Sequence, residues 1–288
     1  MTDERDVFRL WRAMLSRRLG KNSREALEVY ENDCDLYAER VNAAQLLTEK
    51  DAQKLLACDL TEARITAEIC ERTKISFITK GSEAYPASLR SLKEPPELLF
   101  CLGDPSVLAR PACAVIGSRN ADDYSFRLTR RFAYELARAD ISVVSGFALG
   151  IDRAAHFGAL DAKGTTVAVL GCGILCDYPR GSAQIRDAIT ERGAVITEYL
   201  PYQRPEASFF PMRNRITAAL SRCVLCTLAG RSSGSLNTAN HAFSLGLPVY
   251  VTPPHDLLDG SSDGIVTLLR DGAVQVCSPQ EIIREVFL

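Results

Sequence analysis

The chain lacks most of what would mark a catalyst or a membrane protein. It has only three histidines in 288 residues, and none falls in a Ser-His-Asp or zinc-deaminase pattern. The opening segment MTDERDVFRLWRAMLSRRL is too charged for a signal peptide, and no apolar run approaches a membrane span. No excess of basic charge exists either. With 34 Lys+Arg against 36 Asp+Glu the net charge is −2, which excludes a protein that coats nucleic acid by bulk charge but permits a local basic pocket. Ten cysteines are present without a framework. Only Cys223 and Cys226 have a metal-knuckle spacing, and they lie in an apolar run that reads as a strand, which would point them to opposite faces. The thiols read as small, reduced core residues, so no metal or cofactor is expected and the expected compartment is the cytoplasm.

Two regimes follow one another along the chain. Residues 1–75 carry helical periodicity (Val7, Leu10, Trp11, Leu27, Leu36, Val41, Leu46, Leu47, Leu55, Leu56, Ile65, Ile69) and predict a small helical module. A connector over 76–110 holds Pro86, Pro95, Pro96 and Pro105, which break any long helix. From 111 to 288 the apolar runs ACAVI, ISVVS, TVAVL, AVITE, CVLCTL and LPVYVT alternate with amphipathic stretches such as YSFRLTRRFAYELARA. Continuous apolar strands separated by helices predict an α/β domain, a Rossmann-like doubly wound and mostly parallel sheet preceded by the helical module. No further domain is expected after the last helical stretch, EIIREVFL.

In such sheets ligands lie where strands run into helices. Four candidate loops end strands with glycine or small polar residues: IGSRN at 116–120, SGFALGID at 145–152, LGCGI at 170–174 and GRSSGSLNT at 230–238. Glycine lets a backbone approach closely, and helix N-termini aim N–H groups at anions, so several such loops on one edge point to an anion site. Neither the dinucleotide fingerprint nor a Walker A lysine is present. Arg119 in the first loop suits a phosphodiester gripped from outside; a surface salt bridge to Asp122 or Asp123 is its other available role. In SFFPMRNRI, Arg213, Asn214 and Arg215 fall in the first turn of a helix, where cations oppose the dipole and a ligand would repay the cost. Asp152 and His156, four residues apart in IDRAAH, could imitate an acid–base pair; a helix-capping Asp with His packed behind it is the plainer reading. His241 and His255 have no recognisable partner.

VIGSR, SGFALGIDRAAH, AVLGCGI with Tyr178-Pro179, GAVITEY, FPMRNRITAALS, SGSLNTA and LLRDGA occur in the order found in the DNA-processing protein A (DprA/Smf) family, which residues 76–276 resemble. The resemblance implies single-stranded DNA bound in a basic pocket, a homodimer, and delivery of the strand to the RecA recombinase in natural transformation, without catalysis or membrane association. It assigns phosphate contacts to Arg119, Arg180, Arg213 and Arg215, with Gly117, Ser118, Gly146, Asn214, Gly234 and Ser235 completing the binding set. Phe210 is either a wall of a base pocket or a core residue. Dimerisation is expected through the sheet domain, near Val266, Leu268, Leu269, Val274 and Val276. The chain departs from the family at Leu149, usually basic, at Ser125, usually Gly, and at Asp122, usually a small hydroxyl residue whose replacement puts negative charge near a phosphate. Leu228 stands for a usual glutamate and Val266 for a usual asparagine. The alternative readings are a nucleotide-binding sensor or a phosphoribohydrolase-like protein. The latter would need a glutamate on the helix after its glycine turn, where SSGSLNTANHA offers Asn237, Thr238 and Asn240.

Overall fold

The computed structural model describes residues 3–288 other than His255, Leu257 and Asp259. The chain divides into two compact units, Met1–Tyr85 with Pro95–Phe100, and Pro86–Glu94 with Cys101–Leu288. In the first unit the helices are α1 (Glu4–Ser16), α2 (Lys21–Ala26), α3 (Asp33–Ala38), α4 (Arg40–Ala44), α5 (Glu49–Ala57) and α6 (Thr61–Thr73), followed by strand β1 (Ser76–Thr79). Leu10, Trp11, Leu15, Leu36 and Leu55 are fully buried, each such side chain contributing about 1.5–3 kcal/mol. The Trp11 indole N–H donates to the Cys58 carbonyl at 3.0 Å. Val41, Leu46, Leu56 and Ile65 share the apolar pattern but are exposed. Short helices bury a single stripe, and Leu56 lies about 100° around α5 from the inward-facing Leu55.

Strand β2 (Leu98–Gly103) spans the change from one unit to the other in sequence. The second unit then runs β3 (Ala112–Gly117), α7 (Asp123–Arg138), β4 (Ser142–Ser145), α8 (Ile151–Asp161), β5 (Thr166–Val169), α9 (Ala183–Thr190), β6 (Ala194–Thr197), α10 (Phe209–Ala219), β7 (Cys223–Leu228), α11 (Ser235–Ser244), β8 (Val249–Val251), α12 (Asp263–Arg270), β9 (Val274–Gln275) and α13 (Pro279–Ile282). Its strands lie in the order β6-β5-β4-β3-β7-β8-β9 and pair in parallel. Cys113 pairs with Cys223 and Ala112 with Ser142, and the β3–β7 register shifts between Ile116 and Gly117, where the chain leaves the sheet. From β3 the chain winds outward through β4, β5 and β6, then returns to lay β7 on the other side of β3. That reversal is the topological switch point of a doubly wound sheet.

Alternation along the strands splits the core in two. Cys113, Val115, Cys223, Leu225 and Tyr250 face Phe132 and Leu136 of α7 and Ala155 of α8. Ala114, Ile116, Val224, Cys226 and Val251 face Ala218 of α10, Ala239 of α11 and Leu268 of α12. Cys223 and Cys226 therefore sit on opposite faces, as strand periodicity requires. The basic run of α7 points away from its buried stripe: Arg130 pairs with Asp161 at 2.5 Å and Arg131 with Glu135 at 2.8 Å. Of the five apolar residues near the C-terminus, Leu268 and Val276 are core and Val274 is exposed. Among the described residues no helix is long and apolar enough to cross a membrane.

One polar knot ties α2 to α5 in the first unit. The buried Asp51 carboxylate accepts from Lys54 Nζ at 2.7 Å, Ser23 Oγ at 2.7 Å and the Gly20 N–H at 3.0 Å. These partners, Lys54 foremost, hold its pKa well below the usual carboxylate range. A depressed folded-state pKa contributes stability above the unfolded value of about 4, and that stability is lost as pH falls below it. Thermal melts from pH 7 to pH 3 should show the Asp51→Asn chain less stable at neutral pH and less sensitive to acid than the parent. Parallel curves for the two would contradict this role.

Candidate functional site

The ends of β3, β4 and β7 and the start of α10 surround a cleft of about 740 Å³, lined from the first loop by Gly117, Ser118 and Arg119. Its position is fixed by close backbone approaches. A Cβ on Gly117 would fall 2.7 Å from the Ile151 side chain. Gly150, at φ +72°, lies directly against the carbonyls of Ser118 and Arg119, and the Ile151 N–H donates to Ser118 O at 3.1 Å. The first two loops are thereby laced together. Ser118 is partly spent on its own turn, because its hydroxyl accepts the Asn120 N–H at 3.2 Å.

Arg213 forms the floor. It is 5 % exposed, and its guanidinium donates to the Gly146 carbonyl at 2.5 Å and to the Val169 carbonyl, bridging the ends of β4 and β5. Gly146 has no side chain because there is no room for one: a Cβ there would lie 2.6 Å from Arg213 Nη2 and 2.7 Å from Asp152 Oδ2. Asp152, also buried and lining the cleft, accepts from the Ala148 N–H at 3.2 Å. Burial pushes the Asp152 pKa up and the Arg213 pKa down, and their mutual attraction opposes both shifts. Asp152 thus caps no N–H of α8; it braces the preceding loop. His156 is packed behind it, with Nδ1 2.8 Å from Thr166 Oγ1, and burial lowers its pKa to about 3.

Arg119 is exposed at the rim, its guanidinium 5.4 Å from the centroid of the Phe210 ring. Among the described residues it has no ion-pair partner. Asp122 turns instead to the start of α7, accepting the Ser125 N–H at 2.8 Å and Ser125 Oγ at 2.9 Å. The two departures at 122 and 125 therefore form one helix cap, and Asp122 is not part of the cleft lining. Phe210 is a wall rather than a core residue. Its ring packs where a Cβ on Gly171 would sit (2.7 Å), lies 5.5 Å from Tyr178, and borders both the cleft and a neighbouring cavity of about 230 Å³. That cavity is lined by Leu170, Gly171 and Cys172 of the loop after β5, by Arg180 and by the half-exposed Leu149.

On the far wall Asn214 Nδ2 donates to Gly234 O at 3.3 Å and Asn237 Oδ1 at 3.2 Å, fastening α10 to the loop before α11. Ser233 and Ser235 hydroxyls lie 2.7 Å apart there. Nine of the expected residues (Gly117, Ser118, Arg119, Gly146, Phe210, Arg213, Asn214, Gly234 and Ser235) line the cleft, and Arg180 lines the adjoining cavity. Arg215 lines neither. Its guanidinium is bidentate to Glu198 at 2.7 and 2.8 Å and donates to the Glu94 and Met212 carbonyls. The expected placement of Arg213, Asn214 and Arg215 in the first turn is corrected: α10 begins at Phe209, so all three lie past that turn, where the dipole cost has faded. The Arg215 charge is met by Glu198. The structure adds Asn120, Thr217, Glu206 and Asn237 to the lining; Glu206 carries no sequence signal that would have placed it there.

Comparison with known proteins matches this architecture. Residues 76–287 fit the model of the family described as DNA recombination-mediator protein A. The chain is 35% identical over 226 residues to DNA processing protein DprA of Streptococcus pneumoniae, covering 78% of each chain. It is 34% identical to that of Bacillus subtilis, covering 73% of this chain and 71% of the relative. The X-ray structure of the Streptococcus pneumoniae protein superposes with a TM-score of 0.82 at 29% identity, over 98% of each chain. A structure of DNA processing protein A from Helicobacter pylori, described for its single-stranded DNA binding mode, gives a TM-score of 0.66 at 32% identity over 73% of this chain and 94% of that one. With a matched family model over most of the chain and relatives at this level of identity, the protein belongs to the DNA recombination-mediator protein A family.

Proposed function

We propose that the cleft binds the phosphodiester backbone of single-stranded DNA, and that the protein, as a homodimer, delivers the strand to a RecA recombinase in the cytoplasm. The observation that carries this reading is Arg119, a cation at the rim of a glycine-walled cleft, with no ion-pair partner among the described residues and an aromatic ring beneath it. Arg119 with Arg180 at the adjoining cavity offers charge to phosphates, while Phe210 and Tyr178 offer faces on which unpaired bases can stack. A duplex keeps its bases stacked inside, so single strands are preferred, without strong sequence choice. Arg213 supports the floor, and Arg215 acts only through stability. The exposed edge residue Val274 and the partly buried Val266 and Leu269 support dimerisation through the sheet domain, which predicts a dimeric mass by light scattering.

Gel-shift titrations over a range of salt test the reading. Each phosphate contact to a single strand contributes about −0.7 to the slope of log affinity against log salt, so two rim arginines give roughly −1.4. Arg119→Ala should flatten that slope by about 0.7, weaken binding by about 1.5–3 kcal/mol and leave the melting temperature nearly unchanged. Arg215→Ala should do the reverse, lowering stability by about 1–3 kcal/mol because the part-buried Glu198 carboxylate loses both of its hydrogen bonds to the guanidinium. Equal affinity for oligo-dT and blunt duplex, or a slope near zero, would refute the assignment.

Binding proceeds without turnover in this reading. Asp152 is engaged by Arg213 and the Ala148 N–H, and no carboxylate stands on α11, where a phosphoribohydrolase would carry one. Incubation with nucleoside monophosphates should release no free base; release that disappears in Asp152→Asn or Glu206→Gln would establish an enzyme instead.

A further inference from the structure

The opposite edge of the same sheet carries a second concentration of charge. Arg110 precedes β3, Arg138 and Asp140 precede β4, Lys163 precedes β5 and Arg192 precedes β6. Because these four strands are neighbours in the order β6-β5-β4-β3, the residues form a row about 14 Å long, three strand spacings of roughly 4.8 Å. They line an open trough of about 430 Å³ with Gly164 and Thr165 and without an aromatic side chain. Arg110 is paired with Asp140. Arg138, Lys163 and Arg192 are exposed and form no salt bridge among the described residues. Arg138 hydrogen-bonds the Tyr134 side chain and feels the charge of Glu135, which is itself paired with Arg131.

Helix ends do not account for this charge. Cations commonly sit near the C-termini of helices, and α7, α8 and α9 all end here. Yet the last carbonyls of α7 and α8 already have main-chain donors. Ile141 N–H reaches Leu136 O at 3.1 Å, Gly164 N–H reaches Ala159 O at 2.9 Å, and Asp140 and Lys163, at φ +62° and +54°, donate to Ala137 and Leu160. Only Arg192 spends a guanidinium N–H on the backbone, at Lys163 O, 3.3 Å away. In a chain of net charge −2, Lys163 and Arg192, beside an Arg138 only partly offset by Glu135, repel one another unless an anion joins them.

We propose that this trough is a second contact for a nucleic-acid strand, one that takes only phosphates. With no ring to stack a base it reads no sequence, and it engages strands long enough to leave the cleft and pass around the sheet domain. It rests on the proposed strand-binding function, and the test separates the two. Binding of oligo-dT of about six and about thirty nucleotides, a range that brackets the site size of compact single-strand binders, is measured for the full chain and for Arg138→Glu/Lys163→Glu. For the long strand the double variant should bind at least tenfold more weakly, with the salt slope flatter by about 1.4. The short strand should bind as in the parent. Arg192→Glu, outside any helix, should flatten the long-strand slope by about 0.7 with the fold intact, which covers a double variant that fails to fold. Unchanged long-strand affinity and slope in folded variants, or a loss confined to thermal stability, overturns the second contact. Failure of the parent to bind the short strand counts against the cleft reading alone, since the trough is read from the difference between long and short strands.

Discussion

The guanidinium of Arg213 holds the carbonyl ends of two neighbouring strands together, Gly146 after β4 and Val169 at the end of β5, from a position buried beneath the cleft. The rest of the site hangs on that placement. It obliges residue 146 to be glycine, draws the Asp152 carboxylate inward, and sets the start of α10 so that Phe210 meets Gly171 and Asn214 meets the loop before α11. A buried cation held by main-chain carbonyls and one nearby carboxylate is costly to desolvate. The structure meets that cost where the strands reverse their order, the position at which doubly wound sheets bind ligands.

The charges around the cleft fall into two groups by solvation. Arg213 and Arg215 are spent inside the protein, whereas Arg119 and Arg180 are exposed and able to exchange water for an anion. This division gives the cleft a soft electrostatic character, with a few rim cations over a floor that already contains Asp152. Leu149, in the adjoining cavity, adds no charge to it. The Asp122 carboxylate closes the first turn of α7 together with Ser125. A trough of exposed cations on the opposite sheet edge would compensate for a thin rim by lengthening the contact rather than strengthening it.

Much of this was legible from residue order. The six strands β3 to β8, their parallel sheet and three of the four loops, which meet at the cleft, follow from apolar runs, their lengths and their glycines, because burial on both faces leaves no other pattern for a central strand. The loop at 170–174 lines the adjoining cavity instead, and the strands β1, β2 and β9 lie outside that reading. The splitting of Cys223 and Cys226 to opposite faces follows from the same period. Even one miss had its signal in the spacing. Arg213 and Arg215 are two residues apart on a helix, roughly 200° around its axis, so they could not have gripped one ligand together.

Tertiary structure alone decided the remainder. Nothing local tells that Glu198, seventeen positions before Arg215, is the acid that neutralises it, or that the Asp152 carboxylate lies against the space of Gly146 instead of the helix start. Nor does local sequence show which of the periodic leucines in the short N-terminal helices lie inside. Periodicity identifies a face and composition identifies charge. Which face is covered and which charge is matched depends on groups that meet only after the chain has folded, and that difference separates a structural arginine from one left for a ligand.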